Sequence, residues 1–144
     1  MLVIPKEDKS LTQDKSGNNV VQKIDIKALA SEFIRVFYLY WKQNPQICIQ
    51  NSNLFYEHSR ISFEGTTCKG VEIITILNLI WEETNFDFEI SKFNVMDSGS
   101  RRIDILVNGF ITKKGIKYPF SQYFLLAYIK DSWKLHNSII NIFI

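Results

Sequence analysis

The last third of the chain constrains the fold most. Arg102–Lys113, Lys117–Lys130 and Trp133–Phe143 read as three successive β-strands, separated by the turn signals Lys114-Gly115 and Lys130-Asp131-Ser132. Strands of more than ten residues are about twice the usual length. Such strands build a wide, twisted antiparallel sheet, and one face of that sheet has to be covered by something else. The earlier part of the chain is expected to supply the cover.

It carries the right pattern for this. From Asp25 onward, Ile26, Leu29, Ala30, Phe33, Phe37, Tyr40 and Trp41 recur at helical spacing with charged residues between them. Asp25 is placed to cap the helix and Asn44-Pro45 to end it, giving one amphipathic helix of about 18 residues. Pro45–Tyr56 predicts a short second helix and a turn, and His58–Glu64 a short strand. Gly65 and Gly70 bracket a loop or hairpin. Val71–Trp81, with apolar residues at 71, 73, 74, 76, 77, 80 and 81, predicts a third, largely buried helix. Phe86, Phe88 and Ile90 alternate with polar residues as a half-buried strand does. The apolar set then changes parity to Phe93 and Val95, which predicts a β-bulge and a bend in the sheet. A turn is expected at Ser98-Gly99-Ser100. Helices first and antiparallel strands after is α+β architecture, and a bent sheet over helices makes a cone with an internal cavity.

Length and composition fit one domain with a real core. Of 144 residues, 46% are hydrophobic and 14% aromatic. Residues 1–23 are polar and poor in aliphatics and read as a flexible N-terminal tail, with residues 24–144 as the folded domain. The net charge of +2 is too mild to imply a nucleic-acid partner. Cys48 and Cys68 lack metal-type spacing and are expected to be free thiols in a reducing compartment. The opening apolar run is too short for a signal peptide, and no run reaches the roughly 18 residues of a membrane span. A nuclear and cytosolic protein is expected.

The two faces of the long strands differ. Ile103, Ile105, Val107, Gly109 and Ile111 share one face with Phe120, Gln122, Phe124 and Leu126, and this set should meet the helices. The opposite face is mixed but not polar, with Leu106, Phe110, Tyr123, Leu125 and Ile139 or Ile140. A sheet face open to water is normally more hydrophilic, and apolar patches of this kind mark interfaces unless a tail or loop folds over them. Catalysis finds little support. Gln122 is the one polar residue at the expected inner positions, and it is neither acid nor base. His58 and His136 are far apart in sequence and have no assigned carboxylate partner. No nucleophile elbow, phosphate loop, dinucleotide fingerprint or metal cluster occurs. No catalytic residue, metal or cofactor is therefore assigned. The basic residues Arg101, Arg102, Lys113, Lys114 and Lys117 read as solvated strand and hairpin ends.

Several segments in order resemble the nuclear transport factor 2-like family. Phe33-Ile-Arg-Val-Phe-Tyr38 is similar to its first-helix pattern. Leu54-Phe-Tyr56, Ile61-Ser-Phe-Glu-Gly65 and Gly70 resemble its central segment. Phe120-Ser-Gln-Tyr-Phe-Leu-Leu126 and Trp133-Lys-Leu-His-Asn-Ser-Ile-Ile140 resemble its closing strands. The resemblance spans about residues 26–144. It implies a conical α+β fold that pairs through the outer sheet face, with Leu106, Tyr123, Leu125 and Ile139 at the contact and no catalysis in the transport branch. It also implies that Phe63 and Glu64 lie where Ran-GDP is contacted. The Ran-carrying branch needs two acidic residues in the hairpin before Phe120, and here that hairpin is Lys113-Lys-Gly-Ile-Lys117. An aromatic used for nucleoporin Phe-Gly repeats is Ile26, and an Arg used in the export branch is Asn141. The expectation is a small adaptor subunit that pairs with a larger mRNA export receptor, helps bind FG-repeat nucleoporins and works at the nuclear pore. The alternatives are a homodimeric Ran-GDP importer and an isomerase-like enzyme or ligand binder of the same fold.

Overall fold

The computed structural model describes residues 25–51, 53–85 and 87–144. The expected tail at 1–23, the domain boundary at 24 and the expected strand start at Phe86 lie outside them. Helix α1 spans Ile26–Gln43, and Asp25 caps it by accepting the Ala28 N–H at 3.0 Å. The chain turns extended at Asn44 and enters α2, Pro45–Asn51. Strands β1 (Arg60–Phe63) and β2 (Thr66–Lys69) form a short hairpin. A single 3₁₀ turn, Gly70–Glu72, precedes α3, Ile73–Thr84. Four long strands follow: β3 (Phe88–Gly99), β4 (Arg102–Lys113), β5 (Ile116–Ile129) and β6 (Ser132–Ile142).

Each hairpin turns on two residues with positive φ: Glu64-Gly65, Ser100-Arg101, Lys114-Gly115 and Lys130-Asp131. That geometry matches the right-handed twist of the strands it joins. The turn expected at 98–100 therefore falls one residue later. The third helix starts at Ile73 rather than Val71, whose side chain is 79% exposed on the 3₁₀ turn.

The sheet order is β2-β1-β6-β5-β4-β3, an open sheet with β2 and β3 at its edges. It is mixed rather than wholly antiparallel, because β1 runs parallel to β6. Polar contacts seat β1 there. The Ser59 hydroxyl donates to the Leu135 carbonyl at 2.5 Å, and the Leu135 N–H donates to the Leu54 carbonyl at 2.7 Å. The expected bulge is present, since the β3–β4 register slips between Ile90 and Lys92 and returns Phe93 and Val95 to the inner face. A second slip in β3 lies between Asp97 and Gly99, and β6 bulges at His136.

The core lies between the helices and the inner sheet face. Phe33, Phe37 and Trp41 of α1 pack on Phe124 and Phe88, mostly edge to face. The Trp41 indole donates to the Leu77 carbonyl at 3.0 Å and fixes α1 on α3. Three polar side chains enter this core as a closed chain. The Tyr38 hydroxyl donates to Gln122 Oε1 at 2.6 Å, Gln122 Nε2 donates to Ser138 Oγ at 3.0 Å, and the Ser138 hydroxyl donates to the Tyr123 carbonyl at 2.7 Å. Burial holds the Tyr38 hydroxyl well above its usual pKa, so it stays a donor.

Candidate docking surface

Cross-strand register lays out the outer face row by row. One row reads Ser62, Ile139, Tyr123, Leu106, Asn94 from β1 across to β3. The next reads Arg60, Asn137, Leu125, Asp104, Met96. The four expected contact residues are thus brought together, with Ile139, Tyr123 and Leu106 directly abreast and Leu125 two residues along β5. Leu106 and Ile139 are each 42% exposed, while Ile140, the other candidate at that end, is buried at 1%. Phe110 and Met96 extend the apolar area along β4 and β3. Helix α1 and helix α3 cover only the inner face.

The polar groups on this face are arranged around the apolar row. The Tyr123 hydroxyl donates to Asp104, as does the Ser98 hydroxyl. Desolvation first, then the hydrogen bond to the Asp104 carboxylate, pushes the Tyr123 pKa up to about 12. Each oxygen of the Asp104 carboxylate therefore accepts one hydroxyl donor.

One end of the face is basic. The bulge at His136 turns its ring toward Tyr56, whose hydroxyl lies 2.5 Å from Nδ1. His58 packs edge-on against the same tyrosine and lies 3.7 Å from Glu57. The two histidines distant in sequence thus share one tyrosine, and His58 has a carboxylate beside it after all. Desolvation, then the nearby Arg102 and Arg60 charges, then His58, lower the His136 pKa. Sequence alternation missed this group because a bulge displaces His136 from the strand's period and Tyr56 comes from a loop.

Phe63 and Glu64 lie at a different place, the β1–β2 turn at the opposite end of β1 from Arg60. Phe63 is buried and Glu64 exposed at the β1–β2 turn. Together with Glu83, Thr84, Ile111, Lys113, Tyr118, Ile142 and Ile144 they line a pocket of about 130 Å³. Lys113 of the basic hairpin reaches Glu83 at 3.6 Å across its mouth. The hairpin and Glu64 do share one site, and the cation there is lysine. Among the described residues no group of three His, Cys, Asp or Glu side chains is placed to hold a metal ion. Cys48 is a buried thiol whose pKa burial pushes up, and Cys68 is half-buried.

A layer of helices on one face of a curled open sheet, with an apolar row left on the other, defines an α+β domain. The sequence matches the family profile of the nuclear transport factor 2 (NTF2) domain over residues 29–142, and the chain belongs to that family. No curated protein sequence matches it. Among solved structures it is similar to the yeast Ubp3-associated protein Bre5, with a TM-score of 0.69 and 15% identity over 83% of this chain and 97% of that one. It is also similar to nuclear transport factor 2 from Cryptosporidium parvum, with a TM-score of 0.65 and 20% identity over 81% and 94%. An uncharacterized protein with a cystatin-like fold from Caulobacter vibrioides gives 0.67, at 11% identity over 82% and 89%. At these identities the likeness is one of fold.

Proposed function

We propose that the protein is a docking subunit rather than an enzyme, and that it pairs through its outer sheet face with the NTF2-fold domain of a larger transport receptor. The observation behind this reading is the row Ile139, Tyr123, Leu106, in the middle of a six-stranded sheet, with Ile139 and Leu106 exposed and Tyr123 half-buried between them. A solvated sheet face has no reason to carry it. Within that reading the protein is the small adaptor of an mRNA export receptor, helps engage FG-repeat nucleoporins and moves between nucleus and cytoplasm. A yeast protein of this fold, Bre5, is a cofactor in complex with the deubiquitinase Ubp3, which supports a partner-binding role for the fold.

Ran-GDP carriage fits less well. Glu64 is present at the pocket, but Lys113 stands beside it where attraction to that partner calls for acid. A like charge at a desolvated contact costs several kcal/mol. The deciding experiment is the mass and composition of the native complex. A larger subunit bearing an NTF2-fold domain, lost on Leu106→Asp, is expected. Isolation as a lone chain or with Ran alone would sink the adaptor reading, and loss of Ran-GDP binding at low salt removes the importer.

A further inference from the structure

The charges of the outer face are strongly one-sided. Register places six cations on it, Arg60, Lys69, Lys92, Arg102, Lys117 and Lys134, against two carboxylates, Asp104 and Glu89. The carboxylates are already engaged. Asp104 accepts the Tyr123 and Ser98 hydroxyls, and Glu89 bridges Lys117 at 3.0 Å. Lys134 is tied to the Asn53 carbonyl at 2.6 Å and to its side-chain oxygen at 2.7 Å. Arg60, Lys69, Lys92 and Arg102 have no ion-pair partner among the described residues. Three of these four gather at one end. Arg60 and Lys69 are cross-strand neighbours, and Arg60 and Arg102 both act on His136 and Tyr56.

We propose that this face is built for a partner face carrying carboxylates opposite Arg60, Lys69 and Arg102, and that the same charges disfavour pairing with a second copy of the chain. The inference rests on the docking reading above. In a two-fold pair both subunits use the same patch. Two copies would therefore press together faces of the same sign, and like-charge juxtaposition suppresses a wrong partner. The apolar row supplies contact area to any flat apolar face. The cations decide which face it accepts. Arg60 and Lys69 lie one row from Tyr123 and Ile139 and Arg102 two rows away, at the margin of whatever covers those residues. A phosphate backbone is the less fitting counter-charge, because Tyr56, on which Arg60 and Arg102 both act, is stacked on His136 instead of being presented to a base.

The test needs no knowledge of the natural partner. A copy carrying Lys69→Glu, Arg60→Glu and Arg102→Glu serves as an acidic face of matching shape. All three positions are exposed, and thermal unfolding checks that this copy folds. Wild-type and charge-reversed chains of distinguishable mass are mixed and counted by native mass spectrometry. Mixed pairs are expected to exceed wild-type self-pairs by about tenfold at low salt. The excess should vanish near 1 M salt, where the screening length is about 3 Å. Equal self-pairing and mixed pairing at low salt, or no mixed pairs at all, overturns the charge rule. Leu106→Asp in the reversed copy should abolish the mixed pairs. If they persist, the contact is elsewhere and the sheet-docking reading fails instead. Binding of a fluorescent single-stranded oligonucleotide by the wild type, lost in the reversed copy, would assign the cations to phosphate and also overturn the proposal.

Discussion

The two faces of the same sheet are both apolar, yet they are built differently. The inner face is closed. Ile105, Val107, Phe124 and Leu126 are fully buried, and even its polar members are linked in one chain from Tyr38 through Gln122 to Ser138. The outer face is unfinished. Leu106 and Ile139 keep nearly half their surface, and four of its six cations, Arg60, Lys69, Lys92 and Arg102, lack counter-ions among the described residues. Burial in the first case is supplied by α1 and α3 of the same chain. In the second, no element among the described residues supplies it, and under the docking proposal it comes from another molecule. The contrast teaches that apolar content alone does not assign a face to the core; what covers it does.

The sharpest way to break the contrast is from inside. Phe124→Ala removes a ring that packs edge-on against both Phe33 and Phe37. It should cost about 3–5 kcal/mol of folding stability, read from urea unfolding. Next comes Gly109→Ala. A Cβ there would sit 2.0 Å from the Glu89 carbonyl oxygen, where the bulge folds β3 toward β4. Backbone has to move, and a loss of about 1–3 kcal/mol or more is expected. Tyr38→Phe leaves Gln122 Oε1 without its donor in the core and should cost about 1–3 kcal/mol. Leu106→Asp on the outer face reverses the pattern. Stability of the single chain should stay within about 0.5 kcal/mol while pairing, followed by analytical ultracentrifugation, is lost. A large destabilisation by Leu106→Asp would mean that the outer row is core after all.

The smallest effect is a pH dependence at the basic end. His136 has a folded pKa below its unfolded value, because it is partly desolvated and sits among Arg102, Arg60 and His58. Tyr56 contacts its Nδ1 side, and the carboxylate nearest this group is Glu57 beside His58. A depressed histidine binds fewer protons folded than unfolded. Its contribution is therefore complete above the unfolded pKa of about 6.5 and declines as pH falls through the folded pKa. A shallow loss of stability between pH 7 and 5 should flatten in His136→Gln. An unchanged slope in that variant would place the dependence on other groups.

Much of this was legible in the sequence because it depends on local rules. Asp25, the 3.6-residue stripe and Asn44-Pro45 set α1 to the residue. The parity change from Ile90 to Phe93 announced the bulge that the register shows. Leu106, Tyr123 and Leu125 followed from alternation, which left Ile139 and Ile140 both open; the family resemblance pointed to Ile139. What stayed hidden is non-local. Nothing near Arg60 says that β1 joins β6 in parallel, since that contact is made 76 residues away through Ser59 and Leu135. Tyr38 stands next to Phe37 but outside the stripe read from the spacing, and its hydroxyl finds Gln122 only in the folded chain. The Tyr56–His136 contact depends on a bulge that no periodicity encodes.

The parallel pairing of β1 with β6 sets the order in which the protein can be completed during synthesis. Arg60–Phe63 is made before most of the sheet, but the strand it must lie against is made after the sheet's other five. Until then the Leu54 carbonyl and the Ser59 hydroxyl have no Leu135 to bond, and the β1–β2 hairpin is a two-stranded ribbon with a free side. Nascent chains halted before β6 should remain sensitive to protease at residues 53–70, and become resistant there only when Leu135 has emerged.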